Sequence, residues 1–118
     1  MLLVNVANID GNRLVACDTQ DKMKASQIAL KTLVKESGFF KKNRIHVLTE
    51  KERKVLKKEC PSLGMTELRE AFAVLVMPDQ EDDLQESPES FLTRDDTFYV
   101  WIRPLKFNVL LTGEGRSV

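Results

Sequence analysis

Leu2-Leu3-Val4-Asn5-Val6-Ala7-Asn8-Ile9-Asp10-Gly11-Asn12-Arg13-Leu14-Val15-Ala16-Cys17 is the stretch on which the fold turns. Leu2, Val4 and Val6 alternate with Leu3, Asn5 and Ala7. That is the period of a strand, here with both faces partly apolar. Arg13 to Cys17 is a second such run. An Asp-Gly pair between two runs of this kind is a strong hairpin signal, because both residues tolerate the backbone of a tight turn. The chain is therefore expected to open with two antiparallel strands.

Asp18 and Thr19 are placed to cap a helix from about Asp21 to Ser37. Met23, Ser26, Leu30, Leu33 and Ser37 share one face, with Ala29 and Val34 beside it. Lys24, Lys31 and Lys35 gather on the other side. Gly38 is a natural stop. Phe39 to Arg44 connects to a short strand, Ile45 to Leu48. Thr49-Glu50-Lys51-Glu52 is a capping box and predicts a helix from Glu50 to about Glu59. Pro61, Ser62 and Gly64 break it.

Thr66 to Phe72 reads as helix by propensity, and Ala73 to Met77 as a buried strand. A short apolar run fits either state, so the join is left open. Asp79 to Ser90 is acidic and polar and contains Pro88. Such a stretch buries little apolar surface to offset its ordering entropy, so an exposed acidic loop is expected at about 79–96. Phe98 to Arg103 and Leu105 to Leu111 read as strands, with Pro104 at an edge, a bulge or the turn between them. Residues 113–118 read as a frayed tail. The whole, residues 1–118, is expected to be a single α+β domain. Its sheet, antiparallel or mixed, should have four to six strands, with two or three helices packed on one face.

Hydrophobic residues are 42% of the chain and charged residues 31%, which excludes the disordered and membrane-spanning classes. No apolar run approaches the roughly 20 residues of a membrane span. No secretory signal is read at the start, and membrane partners are not expected. Two cysteines and nothing suggesting an oxidising compartment point to an intracellular location, cytoplasm or nucleus.

Catalytic and cofactor motifs are missing. Cys17, Cys60 and His46 are too few for a zinc site, which takes about four ligands. A nucleophilic pair of His46 with either thiol has no motif behind it. Gly113-Glu114-Gly115 lacks the third glycine and the strand-to-helix context of a dinucleotide loop, and there is no Gly-Lys-Ser/Thr. The expectation is no enzyme, no metal and no cofactor.

Net charge is zero, yet it is segregated. Lys22 to Lys58 holds twelve Lys and Arg against three acids, a net of +9. Asp79 to Asp96 holds eight acids against one Arg, a net of −7. The leading expectation is a non-enzymatic binding or regulatory protein that contacts nucleic acid or another polyanion through residues 22–58. Its contacts would be Lys24, Lys31, Lys35, Lys41, Lys42, Arg44, Arg53, Lys54, Lys57 and Lys58. Phe39 and Phe40 stand beside the loop cluster and could stack bases, although aromatics at a helix end more often pack inward.

Leu48 to Leu56 resembles the first helix of some helix-turn-helix DNA-binding domains. That resemblance implies a second helix at Thr66 to Leu75 and a C-terminal hairpin as wing. The alternative function is a protein-interaction module, self-associating, that uses a sheet edge or the Tyr99/Trp101 strand. There Tyr99, Trp101 and Arg103 share one face. A small accessory protein of a virus or mobile element fits the profile.

Overall fold

The computed structural model describes residues 1–105. The predicted strand over 105–111 (past its first residue) and the tail at 113–118 lie outside the described residues. The expected hairpin forms from β1 (Leu2–Asn8) and β2 (Gly11–Cys17), paired without a shift from Leu2↔Cys17 to Asn8↔Gly11. The corner is Ile9–Asp10, one residue ahead of the Asp-Gly pair. The Asn8 side-chain oxygen accepts the Asp10 N–H at 2.9 Å, and that side-chain turn closes the loop.

α1 (Lys22–Ser37) starts at Asp21, whose carboxylate accepts the Lys24 N–H at 3.0 Å. Thr19 sits two residues before the cap and accepts the Asp21 N–H. Gly38 ends the helix with φ 73° and donates its N–H to the Val34 carbonyl. Side chains rarely adopt that backbone, which is why glycine stands there.

β3 (Arg44–Val47) leads into α2 (Glu50–Glu59), where the capping box forms as read: Glu52 N–H donates to Thr49 Oγ1, and Thr49 N–H to Glu52. The open join falls at Glu70. α3 (Met65–Glu70) gives way to β4 (Ala71–Val76), a strand paired on both sides. The helix that the helix-turn-helix resemblance requires through Leu75 is therefore absent. Residues Ala71 and Ala73 to Val76 are buried, and interior strand pairing prevails over local helix propensity. A register shift at Phe72 interrupts the alternation, which is why the run showed no clean period.

The expected loop at 79–96 is mostly helical. After a 3₁₀ turn at Pro78–Gln80 come α4 (Glu81–Glu86) and α5 (Pro88–Leu92). Leu84, Phe91 and Leu92 are buried. Glu81, Asp82 and Asp83 lie in the first turn of α4, where the helix dipole favours acids. Pro88 opens α5, the position a proline tolerates best.

β5 (Tyr99–Pro104) completes one antiparallel sheet of five strands, in the order β2-β1-β5-β4-β3. The α+β class and the strand number agree with expectation. Among the described residues the α-helices number five, and they do not keep to one face. Val4, Val6, Ala73, Leu75, Val100 and Ile102 pack with Ala25, Ala29 and Leu33 of α1. Val74, Val76, Tyr99 and Trp101 pack on the other side with Leu56 of α2 and with Leu84, Phe91 and Leu92 of α4–α5. β4 and β5 are apolar on both faces, so each face has to be covered.

Candidate functional site

The two faces decide where the charges go. Lys24, Lys31 and Lys35 are exposed on α1, while Lys54, Lys57 and Lys58 are exposed on α2, with the sheet between the two helices. Lys41 and Lys42 are exposed in the loop after α1. Arg44 is engaged: its Nε and Nη2 donate to the two oxygens of Glu81, both at 2.7 Å. This pair raises the pKa of the Arg44 guanidinium and holds the Glu81 carboxyl below the usual range. Arg53 is engaged too, donating to the Leu68 carbonyl at 2.9 Å and to that of Ala71. It satisfies carbonyls at the end of α3. Seven of the ten cations thus lie on two helices, α1 and α2, that pack on opposite faces of the sheet. The sequence places α1 and α2 next to each other, but β3 carries the chain to the far edge of the sheet between them.

His46 lies on the α2 side, with Nε2 2.9 and 3.0 Å from the two Glu52 oxygens. Burial pushes the Glu52 carboxyl up, but the Thr49 N–H and the His46 ring outweigh it and hold Glu52 below the ordinary carboxylate range. Cys17 is buried against α1, with Sγ 3.5 Å from the Ala25 carbonyl, and burial raises its pKa. The sheet thus separates Cys17 from His46. Cys60 is a free thiol beside the other core. Among the described residues no hydrogen bond joins it to His46.

Tyr99 and Trp101 stack with ring centres 5.4 Å apart. The Tyr99 hydroxyl donates to the Leu92 carbonyl at 2.6 Å, and burial pushes its pKa up. Their strand is interior, so it offers no edge. Tyr99 belongs to the core. Trp101 is half-buried and, with exposed Arg103, lines a cleft of 340 Å³ that also includes Leu3, Asn5 and Leu14. This cleft lies on the α2–α5 side of the sheet, between β1–β2 and the α3 segment, whose Leu63, Glu67 and Glu70 form its other wall. Leu14 is 58% exposed there. The Phe39/Phe40 pair divides: Phe40 is core, whereas Phe39 is 68% exposed and meets Phe40 and Phe98 edge-on.

The sheet has two edges, and they differ. β3 is four residues long, its Arg44 is tied to Glu81 and its His46 to Glu52. β2 is seven residues long, regular in register, and carries one charge, Arg13. Its two-residue loop makes Asn8 and Gly11 a hydrogen-bonded pair, and such pairs alternate along the hairpin. Asn12, Leu14 and Ala16 therefore turn their N–H and C=O groups away from β1. Among the described residues no strand pairs with that side. The sequence reading named a sheet edge but not this one. Leu14, out of phase with Val15 and Cys17, was the available signal.

Comparison with protein-family models, with characterised proteins and with solved structures found no match to the chain.

Proposed function

We propose that the protein is a non-enzymatic protein-interaction module that self-associates through the β2 edge. The single observation that carries this reading is the undefended edge itself. It is long and unbroken, with neither proline nor bulge, and an exposed leucine stands at its middle. Edges of this kind pair with other strands unless charges, prolines, bulges or covering elements prevent it.

A second copy fits the register. With a two-fold axis at Leu14, Leu14 meets its counterpart, and Asn12 meets Ala16 of the second copy in both directions. All three outward-facing residues then fall in hydrogen-bonded pairs, giving about six new backbone hydrogen bonds. Opposed side chains share a face, so the two Leu14 side chains meet on the α2–α5 side of the sheet, beside the cleft of Leu3 and Trp101.

Ala16→Pro tests the reading. It removes an outward N–H without touching the β1 ladder, a position where an edge strand tolerates proline. Sedimentation should show a concentration-dependent dimer for the parent chain and a monomer for Ala16→Pro, with circular dichroism spectra that superimpose. A parent chain monomeric at every concentration contradicts self-association. If that monomer is also retained on a polyanion column until salt is raised, and Lys41→Glu with Lys42→Glu releases it, the basic-surface reading is favoured instead.

A further inference from the structure

The cations of α2 border a second feature, separate from the β2 edge. α2 and α3 enclose a groove of 310 Å³, at the small end of the range for binding clefts, roughly 300–1,000 Å³. Leu56 and Leu68 line it, and so does Met65, which is 72% exposed. Lys54, Lys57 and Arg69 stand around them, against a single acid, Glu50. None of those three cations has a salt-bridge partner among the described residues. Arg53 lies in the same groove but is held by backbone carbonyls.

The combination selects a ligand class. Unpaired cations favour an anionic partner and steer it in from a distance. Phosphates alone would satisfy them but leave Met65 in water. A carboxylate-bearing segment with a large apolar side chain would satisfy both, and methionine adapts readily to the shape of what it packs against. The size of the groove suits a side chain or two rather than a whole cofactor. We infer that the α2–α3 groove docks an acidic protein segment that inserts an apolar side chain beside Met65. This inference is independent of pairing at β2, because no residue that lines the groove belongs to β2 or to the cleft beside Leu14.

The test uses the full chain and a fluorescein-labelled peptide of about twelve residues, rich in glutamate around one Leu-x-x-Phe pair. Anisotropy should report saturable binding that weakens as salt rises. Replacing the Leu and Phe of the peptide with serine should weaken binding about tenfold or more, since the anchor carries much of the energy. Lys54→Glu with Lys57→Glu should weaken it by about tenfold or more, and Met65→Ser by several-fold. These three side chains are exposed, so the melting temperature of each variant should stay with the parent. Lys24→Glu with Lys31→Glu, across the sheet, should leave the peptide affinity within about twofold. No saturable binding of the peptide overturns the inference. So does equal binding of the serine peptide, or of a single-stranded oligonucleotide of similar charge that is indifferent to Met65→Ser.

Discussion

The β2 and β3 edges are made from one sheet and face opposite problems. β3 is short, and each of its two polar side chains is held by a carboxylate, Arg44 by Glu81 and His46 by Glu52. The helices that bring those carboxylates, α4 and α2, are anchored in the core by Leu84 and Leu56. β2 has length, regularity and an exposed leucine, and among the described residues it has no comparable guard. A chain that protects one edge with two packed helices is able to protect the other in the same way. That no such guard covers β2 among the described residues is the physical ground for proposing that it pairs.

Disturbing α5, which packs against both helices that guard β3, should have the largest effect. Phe91 is 1% exposed and pins α5 beneath the sheet. Phe91→Ala should cost about 3–5 kcal/mol in denaturant unfolding, the usual loss for a buried phenylalanine. A cost under about 1 kcal/mol would mean that the segment over 81–92 is not part of the fold.

The second effect concerns α2. The pKa of Glu52 is lower in the folded chain than in the unfolded one. Its contribution is therefore complete above the ordinary glutamate range and is lost as pH falls through its folded value. Glu52→Gln should lower stability by about 1–2 kcal/mol at neutral pH, as expected for a charge-assisted bond in a buried setting. The difference from the parent should shrink below about pH 4. A constant difference down to pH 2 would remove the carboxylate from this role.

Smaller still is the Arg44–Glu81 pair, which is largely exposed. Arg44→Ser should change the unfolding midpoint only slightly, because solvent screens such pairs. Its expected signature is on behaviour: with both guards weakened, in Arg44→Ser combined with Glu52→Gln, the β3 edge should begin to associate. The smallest effect on stability should come from giving β2 a guard. Leu14→Lys changes an exposed side chain, so the fold should lose no more than about 0.5 kcal/mol, while the dimer is lost.

The comparison also explains what the sequence made legible. The hairpin, α1 and its Gly38 stop, and the box at Thr49 and Glu52 rest on neighbours in the chain, so local pattern suffices. α4 and α5 were misread because acidic composition averaged over 79–96 hides three residues, Leu84, Phe91 and Leu92, that anchor an otherwise largely exposed segment to the core. The division of the lysines was not legible because it depends on which sheet face each helix crosses. No residue in α1 or α2 encodes that alone; it follows from β3 lying at the far edge. The two large faces of β5 were visible in Tyr99/Trp101 against Val100/Ile102, but they fitted an exposed aromatic patch as well as a second layer of helices, and the one-face expectation followed from not seeing α4 and α5.

Amide hydrogen exchange along β2, followed by NMR at rising protein concentration, is the most direct measurement. The amides of Arg13 and Val15 point to β1 and should be protected throughout. Those of Leu14 and Ala16 should exchange quickly in dilute solution and become protected as concentration rises. If Leu14 and Ala16 exchange freely at every concentration while Arg13 and Val15 stay protected, the edge is unpaired in solution and the assignment of β2 to self-association is wrong.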